Sequence, residues 1–318
     1  MQPARVAVLS RSFSAHAQLR AELAARCPDV SFNDTGRTLA GPELGDFLQG
    51  HDAAIVALER IDDALLARAP QLRIIGKYGV GLDNVDLVAC ERRGVRVGWT
   101  GGVNRRSVSE LVIALAIAAL RHVVRSNREI LQGGFRQIQG RQLGGRTVGI
   151  VGCGHVGRDL VRLLAPFGCR VLVHDLRYDE SFCAETGAEP TGLDELLAMA
   201  DVVSLHLPLT AATKHLIDTQ RLARMKPDAV LINTARGGIV DEAALAEALR
   251  EGRLAAAAFD VFSPEPPVDR QLIDLPNFIA TGHIGGSSAE AVLAMGRAAI
   301  EGLFTARVAT EHIPDYLR

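Results

Sequence analysis

Three polar residues in the C-terminal half of the chain have the types needed to move a hydride and a proton: Arg236, Glu265 and His283. An arginine's planar fork suits a carboxylate better than a lysine's point charge does. An imidazole exchanges a proton near neutral pH, and a carboxylate beside it favours its protonated form. Each of the three follows a short apolar run. Arg236 comes after Ala229-Val-Leu-Ile-Asn-Thr-Ala235 and before Gly237-Gly238. Glu265 lies in Asp260-Val-Phe-Ser-Pro-Glu-Pro-Pro267. His283 follows Asn277-Phe-Ile-Ala-Thr-Gly282 and precedes Ile284-Gly-Gly-Ser-Ser288. Singly, each is an ordinary loop residue; what stands upstream gives the three a common chemistry.

Upstream is Thr147-Val-Gly-Ile-Val-Gly152-Cys-Gly154-His-Val-Gly157-Arg-Asp-Leu160. A G-x-G-x-x-G string is weak alone, but here it follows an apolar strand and opens a helical pattern. Gly152 allows a tight turn, Gly154 a close approach of backbone to pyrophosphate, and Gly157 close packing of helix on strand. The positive helix end and its free N–H groups, beginning at His155 and Val156, then hold phosphates. The next apolar run ends in Asp175, 21 residues after Gly154. A carboxylate there accepts hydrogen bonds from an adenosine ribose and repels a 2′-phosphate, so Asp175 favours NAD over NADP. Arg177, two residues on, softens that preference. Cys153 and His155 inside the loop have no second pair at ligand spacing, so no metal site is expected.

Loops can hold such residues only if strands and helices place them. Candidate strands are 6–9, 54–57, 73–76, 147–151, 170–174, 202–206, 229–233, 256–259 and 277–280, with helices over 13–26, 61–69, 156–166, 193–200 and 242–251 between them. The alternation, with continuous apolar runs as strands, predicts βαβ units and parallel sheets buried on both faces. Ser107-Val-Ser-Glu110 has capping-box spacing and predicts a long helix from about Ser107 to Leu131. Its first half is apolar nearly all round, as in an interior helix or one packed between domains or subunits. Gly98-Trp-Thr-Gly-Gly102 before it reads as a hinge.

The chain has 318 residues, a length for about two domains. Its 48% apolar fraction supports substantial cores. A net charge of −2 and the absence of like-charge blocks argue against a nucleic-acid partner. Five scattered cysteines without a C-x-x-C pair fit free thiols in the cytoplasm. The first apolar run is too short for a signal peptide core, and Leu111 to Leu120 is half the length of a membrane span. A cytoplasmic protein without membrane contact is therefore expected.

With these motifs in order, the sequence resembles the D-isomer-specific 2-hydroxyacid dehydrogenase family, most closely its phosphoglycerate dehydrogenase branch. The matching pieces are Gly79-Val-Gly-Leu-Asp-Asn84, the glycine fingerprint, His206-Leu-Pro-Leu-Thr210, Asn233-Thr-Ala-Arg-Gly-Gly-Ile-Val-Asp-Glu242, Asp260-Val-Phe262 and His283-Ile-Gly-Gly-Ser287. They run from about Ile74 to Ser288.

The resemblance implies two Rossmann/flavodoxin-like, doubly wound parallel-sheet lobes with a cleft between them. The substrate lobe would be residues 1–99 plus 286–318, the NAD lobe 100–285, and the long helix near Ser107 the seat of a homodimer. It also implies roles for single residues. Arg236 binds the substrate carboxylate and carbonyl, His283 is the proton donor and acceptor, and Glu265 pairs with it. Asp260 bonds the nicotinamide carboxamide. The cofactor set extends to His206, Pro208, Thr213, Thr234, Ala235, His283 and Gly285. Lys77, Tyr78 and the backbone N–H groups of Gly79, Val80 and Gly81 join Arg236 and His283 around the substrate.

The chain departs from the family pattern at Gly282, where proline is usual, which would loosen the His283 loop. It departs again at Ala57-Leu-Glu-Arg60, where a phosphate-binding arginine is expected. Arg60, Lys77, Arg136 or Arg141 can fill that role. About thirty residues after Ser288 leave no room for a C-terminal regulatory domain. The expected activity is hydride transfer between nicotinamide and a small D-2-hydroxy or 2-oxo acid, first of all a 3-phosphoglycerate-like one. Hydroxypyruvate or glyoxylate reduction is the alternative. A different class, an NAD-gated corepressor-like scaffold, is also compatible with the motifs.

Overall fold

The computed structural model describes residues 3–313. In chain order the strands are β1 (Val6–Val8), β2 (Val30–Phe32), β3 (Ala53–Val56), β4 (Ile74–Lys77), β5 (Arg96–Gly98), β6 (Thr147–Val151), β7 (Arg170–His174), β8 (Glu189–Pro190), β9 (Val202–Leu205), β10 (Val230–Asn233), β11 (Ala256–Phe259), β12 (Phe278–Ala280) and β13 (Arg307–Val308). The chain divides into two compact units, one running to Asn104 and resuming at Ala289, the other Arg105–Ser288.

The first unit is built on a six-stranded sheet of order β13-β5-β4-β3-β1-β2. All neighbours are parallel except β13, which runs antiparallel to β5. Without β13 this is the flavodoxin-like order 2-1-3-4-5. The helix Ala289–Thr305 covers one face, placing Ala299, Ile300 and Leu303 against Val6, Val8, Ile55 and Ile74. It lies so close that a Cβ on Gly98 would be 2.0 Å from the Gly302 carbonyl oxygen. Gly98, expected in a hinge, is therefore a strand residue whose missing side chain admits a helix backbone.

The second unit is a wholly parallel seven-stranded sheet of order β12-β11-β10-β9-β6-β7-β8. Counted from β6, this is the Rossmann order 3-2-1-4-5-6 with one further strand. Side chains alternate between two apolar layers, as the period of a strand requires. Val230, Ile232, Ala256 and Ala258 face one layer, and Leu231, Ala257 and Phe259 face the other.

The expected helix over 107–131 is corrected in two ways. It begins two residues earlier, at Arg105, so Ser107 is an interior residue and caps nothing. It also breaks into Arg105–Leu120 and Val123–Leu131, which bend by 62° at a left-handed His122 (φ 56°). The break is stabilised from outside the helix: the Arg141 N–H donates to the Leu120 carbonyl at 2.9 Å. The expected helix over 13–26 is likewise two, Arg11–Ser14 and Ala17–Arg26, because the His16 ring accepts the Leu19 N–H and starts a new helix. The strands not anticipated, β2, β5, β8 and β13, have two or three residues each, too few to carry a pattern.

Gly98→Ala tests the close approach of helix to sheet. It should destabilise the protein by about 2 kcal/mol, the usual cost of overpacking, read as a lower urea midpoint at unchanged slope. An unchanged midpoint would contradict the contact.

Candidate active site

The glycine fingerprint lies between the end of β6 and the helix His155–Leu164, and each glycine answers to a distinct constraint. Gly152 has φ +99°, and a Cβ there would lie 2.5 Å from the His206 carbonyl oxygen. A Cβ on Gly157 would lie 2.2 Å from the Gly152 carbonyl oxygen, so the helix can start only where it does if position 157 is bare. Gly154, the residue before the helix, has open space where a side chain would project. That space, at a helix N-terminus with His155 exposed and Val156 half-buried, fits a pyrophosphate. Asp175 at the end of β7 accepts the Cys153 N–H at 2.7 Å, which ties the carboxylate to the loop it would serve. Burial pushes the Cys153 thiol up to about 11, so it stays protonated and is a poor nucleophile or metal ligand.

The loop after β9 faces the fingerprint. His206 is half-buried, contacts the Ser204 hydroxyl at 2.9 Å, and is pushed down to about 4 by desolvation. It is neutral at physiological pH and cannot act as an acid there. The Thr213 hydroxyl donates to the Pro208 carbonyl at 2.6 Å and accepts the Thr210 N–H at 2.8 Å. Thr213 thus shapes the turn that presents Pro208.

The loops after β10, β11 and β12 form the rest. Fully buried Asn233 ends β10, donates to the Arg236 carbonyl at 2.9 Å and accepts the Ala235 N–H at 3.1 Å, closing a tight turn. Thr234 within it has a buried hydroxyl with no partner among the described residues, a polar atom that a bound cofactor would satisfy. The turn presses on the next loop: a Cβ on Gly237 would lie 2.1 Å from the Phe262 carbonyl. There Glu265 accepts the Phe262 N–H at 3.0 Å with one oxygen and meets His283 Nδ1 at 2.8 Å with the other. His283 is half-exposed, so Nε2 is the ring nitrogen left to face a reactant.

His283 sits in the left-handed region (φ 56°), where a non-glycine residue is held at a cost of about 1 kcal/mol. Asp260, 1% exposed, holds it there. Its carbonyl accepts the His283 N–H at 2.8 Å. Its carboxylate takes the Thr281 hydroxyl at 2.6 Å and the Ile284 and Gly285 N–H groups at 2.8 Å each. The loosening expected from Gly282 is thus countered by four hydrogen bonds to one residue. Glu242, at the end of the Asn233–Glu242 motif, also joins two of these loops. Burial raises its carboxyl, while the N–H groups of Ser263 and Gly238 pull it back.

In the first unit, Gly79, Val80 and Gly81 follow β4 as a half-exposed loop, with Gly79 at φ +118° and the Val80 carbonyl accepting the Trp99 indole N–H at 2.9 Å. Tyr78 is buried edge-on against Phe13. Lys77 differs from expectation. It is 3% exposed, and its ammonium donates to the Ala57 carbonyl at 2.7 Å, so it braces a loop and does not reach outward for an anion. Arg141 is also misplaced for a phosphate: it pairs with Asp228, just before β10 begins, whereas Arg236 follows the strand's other end. Arg136 is exposed. Arg60, after β3, has an 84% exposed side chain that meets Asp62 at 3.3 Å, a surface pair of little energy.

A family profile described as D-isomer specific 2-hydroxyacid dehydrogenase, NAD binding domain, matches residues 113–285. The chain is 39% identical, over 88% of its length, to a D-3-phosphoglycerate dehydrogenase from Mycobacterium tuberculosis (strain ATCC 25618 / H37Rv), of which it covers 54%. It thus spans about half the length of that relative. It is 34% identical to a hydroxypyruvate reductase from Thermotoga maritima, over 85% of this chain and 89% of that one. A D-lactate dehydrogenase from Aquifex aeolicus, solved with NAD and lactic acid, has a similar structure with a TM-score of 0.79 at 25% identity, covering 93% of each chain.

The low value of His206 carries a stability consequence. Its folded value of about 4 lies below the ordinary 6.5, so between these pH values the unfolded chain binds the extra proton. Stability is full above about pH 6.5 and falls as pH drops toward 4, by on the order of 3 kcal/mol at most for this one group. In urea titrations at several pH values, His206→Gln should flatten that slope; a slope equal to the parent's would refute the assignment.

Proposed function

The chain belongs to the D-isomer-specific 2-hydroxyacid dehydrogenase family, and from that membership we propose that it moves hydride between nicotinamide and the C2 carbon of a small D-2-hydroxy or 2-oxo acid. The observation that carries this reading is the 2.8 Å contact of Glu265 with His283 Nδ1 beside the Arg236 turn. Bound NAD supplies the hydride chemistry; the protein supplies orientation, charge and a proton.

Arg236 takes the substrate carboxylate and polarises the carbonyl oxygen. In reduction, His283 Nε2 gives its proton to the carbonyl oxygen as the carbon accepts hydride. In oxidation, neutral His283 takes the hydroxyl proton. Glu265 fixes the ring and stabilises the imidazolium between these steps. Asp175 selects NAD over NADP by accepting from the ribose hydroxyls. Gly152, Gly154, His155, Val156 and Gly157 hold the pyrophosphate, and His206, Pro208, Thr213, Thr234, Ala235, Asp260 and Gly285 line the remainder of the cofactor site. Among the four cations considered for a substrate phosphate, Arg60 is the one that pairs an exposed guanidinium with a loop at a strand's carboxyl end. This favours a phosphorylated three-carbon acid, with hydroxypyruvate and glyoxylate next.

A cytoplasmic homodimer completes the proposal. Its support is a set of five free cysteines and an apolar surface of Val123, Ile130, Leu131 and Phe135, the last 90% exposed. Among the described residues no single helix is long and apolar enough to cross a membrane.

The decisive assay is NADH oxidation with 3-phosphohydroxypyruvate, hydroxypyruvate, glyoxylate and 2-oxoglutarate. Turnover is expected with at least one of them, and Arg236→Ala should lower kcat/KM about a thousandfold while NADH still binds. No turnover with any acid, alongside tight NADH binding, would replace the enzyme reading with a binding scaffold. Glu265→Gln keeps a hydrogen-bonding side chain but removes its charge. It should therefore lower kcat about tenfold or more while NADH affinity changes little, and an unchanged kcat would separate Glu265 from the proton transfer.

A further inference from the structure

Ser107 carries the motif that the helix does not use. Its spacing to Glu110 predicts a cap, yet the helix starts at Arg105 and the Ser107 hydroxyl turns elsewhere. It donates to the Gly285 carbonyl at 2.6 Å, and the same oxygen accepts the Ser288 N–H at 3.4 Å. Gly285 is held from its other side by Asp260, which takes its N–H at 2.8 Å. The loop is thus gripped from both sides two residues after His283. The same helical turn also holds the fingerprint helix. Arg106 makes a bidentate pair with buried Asp159, both contacts at 3.0 Å, and the Ser109 hydroxyl donates to the Val156 carbonyl at 3.3 Å.

We propose that Ser107 is a positioning residue for proton transfer: its hydroxyl sets the loop bearing His283 against the helix whose N-terminus takes the cofactor phosphates. The proposal rests on His283 as the acid–base group. His283 is held in its left-handed conformation by its N–H donating to the Asp260 carbonyl at 2.8 Å. Asp260 fixes the loop to its own sheet. Residues 106–109 add the link to the fingerprint helix, and hence set the distance between the proton donor and a hydride arriving from a cofactor held there. Displacements of about an ångström at that distance cost on the order of a hundredfold in rate.

The test compares Ser107→Ala and Ser107→Thr in the full chain, with His283→Ala alongside, using NADH and the 2-oxo acid that the parent protein turns over. Ser107→Ala should lower kcat about ten- to a hundredfold while the NADH Kd stays within about twofold of the parent's. Ser107→Thr, which restores the hydroxyl, should recover kcat to within about threefold. A kcat for Ser107→Ala within about twofold of the parent overturns the proposal. So does a loss of kcat matched by an equal loss of NADH affinity, or one that threonine does not rescue, since the residue would then serve packing alone. Retained turnover in His283→Ala would instead sink the acid–base reading, and with it the premise. A dead His283→Ala beside an unimpaired Ser107→Ala would sink the positioning role alone.

Discussion

The loops at the carboxyl ends of the second sheet depend on one buried carboxylate. Asp260 ends up 1% exposed immediately after β11, where burying a charge costs several kcal/mol unless donors replace its water. Two backbone N–H groups and the Thr281 hydroxyl do so, all from the strand-to-helix segment that contains His283. Such charge-assisted bonds contribute roughly 1.5–3 kcal/mol each. That is enough to hold a histidine in a left-handed conformation and to keep a glycine-rich loop in one place.

The neighbouring loops are arranged by exclusion as much as by attraction. Bare positions at Gly152, Gly157 and Gly237 let backbone meet backbone at distances that no side chain permits. The result is a set of turns pressed edge to edge, each already committed to its neighbours through Asn233, Glu265 or Asp260. Charge enters locally. The overall balance of −2 says nothing about the proposed site, whose one arginine, one carboxylate and one imidazole follow the ends of adjacent strands. Within the first unit Lys77 is buried against carbonyls, and within the second His206 is desolvated, so each bears on the shape of its own loop.

Much of the fold was legible because its strands are buried on both faces. Thr147–Val151, Arg170–His174 and Ala256–Phe259 appear where the apolar runs predict them, to the residue. Buried parallel strands announce themselves as continuous apolar runs. The edge strands were not legible. Val30–Phe32 and Arg307–Val308 owe their conformation to a neighbour's unpaired hydrogen bonds, and three or two residues cannot display a period. The break at His122 was hidden for a related reason. Nothing in Leu-Arg-His-Val forbids a helix, and the turn is stabilised by an N–H arriving from Arg141, twenty-one residues away from Leu120.

The candidate site divides along the same line. The sequence by itself determined the glycine spacing, the carboxylate after the second strand of the nucleotide fold, and the presence of arginine, glutamate and histidine after successive strands, because these are matters of residue type and order. Tertiary structure alone decided which atoms meet. It turned Lys77 inward and placed Arg141 at the far end of its strand. It also moved Ser107 from a cap to a tether and gave Asp260 its three donors. These outcomes depend on hydrogen bonds between segments far apart in the chain, such as Ser107 with Gly285 across 178 residues. No local pattern records which distant carbonyl or N–H a buried polar atom will find; only the closed fold leaves it a single partner.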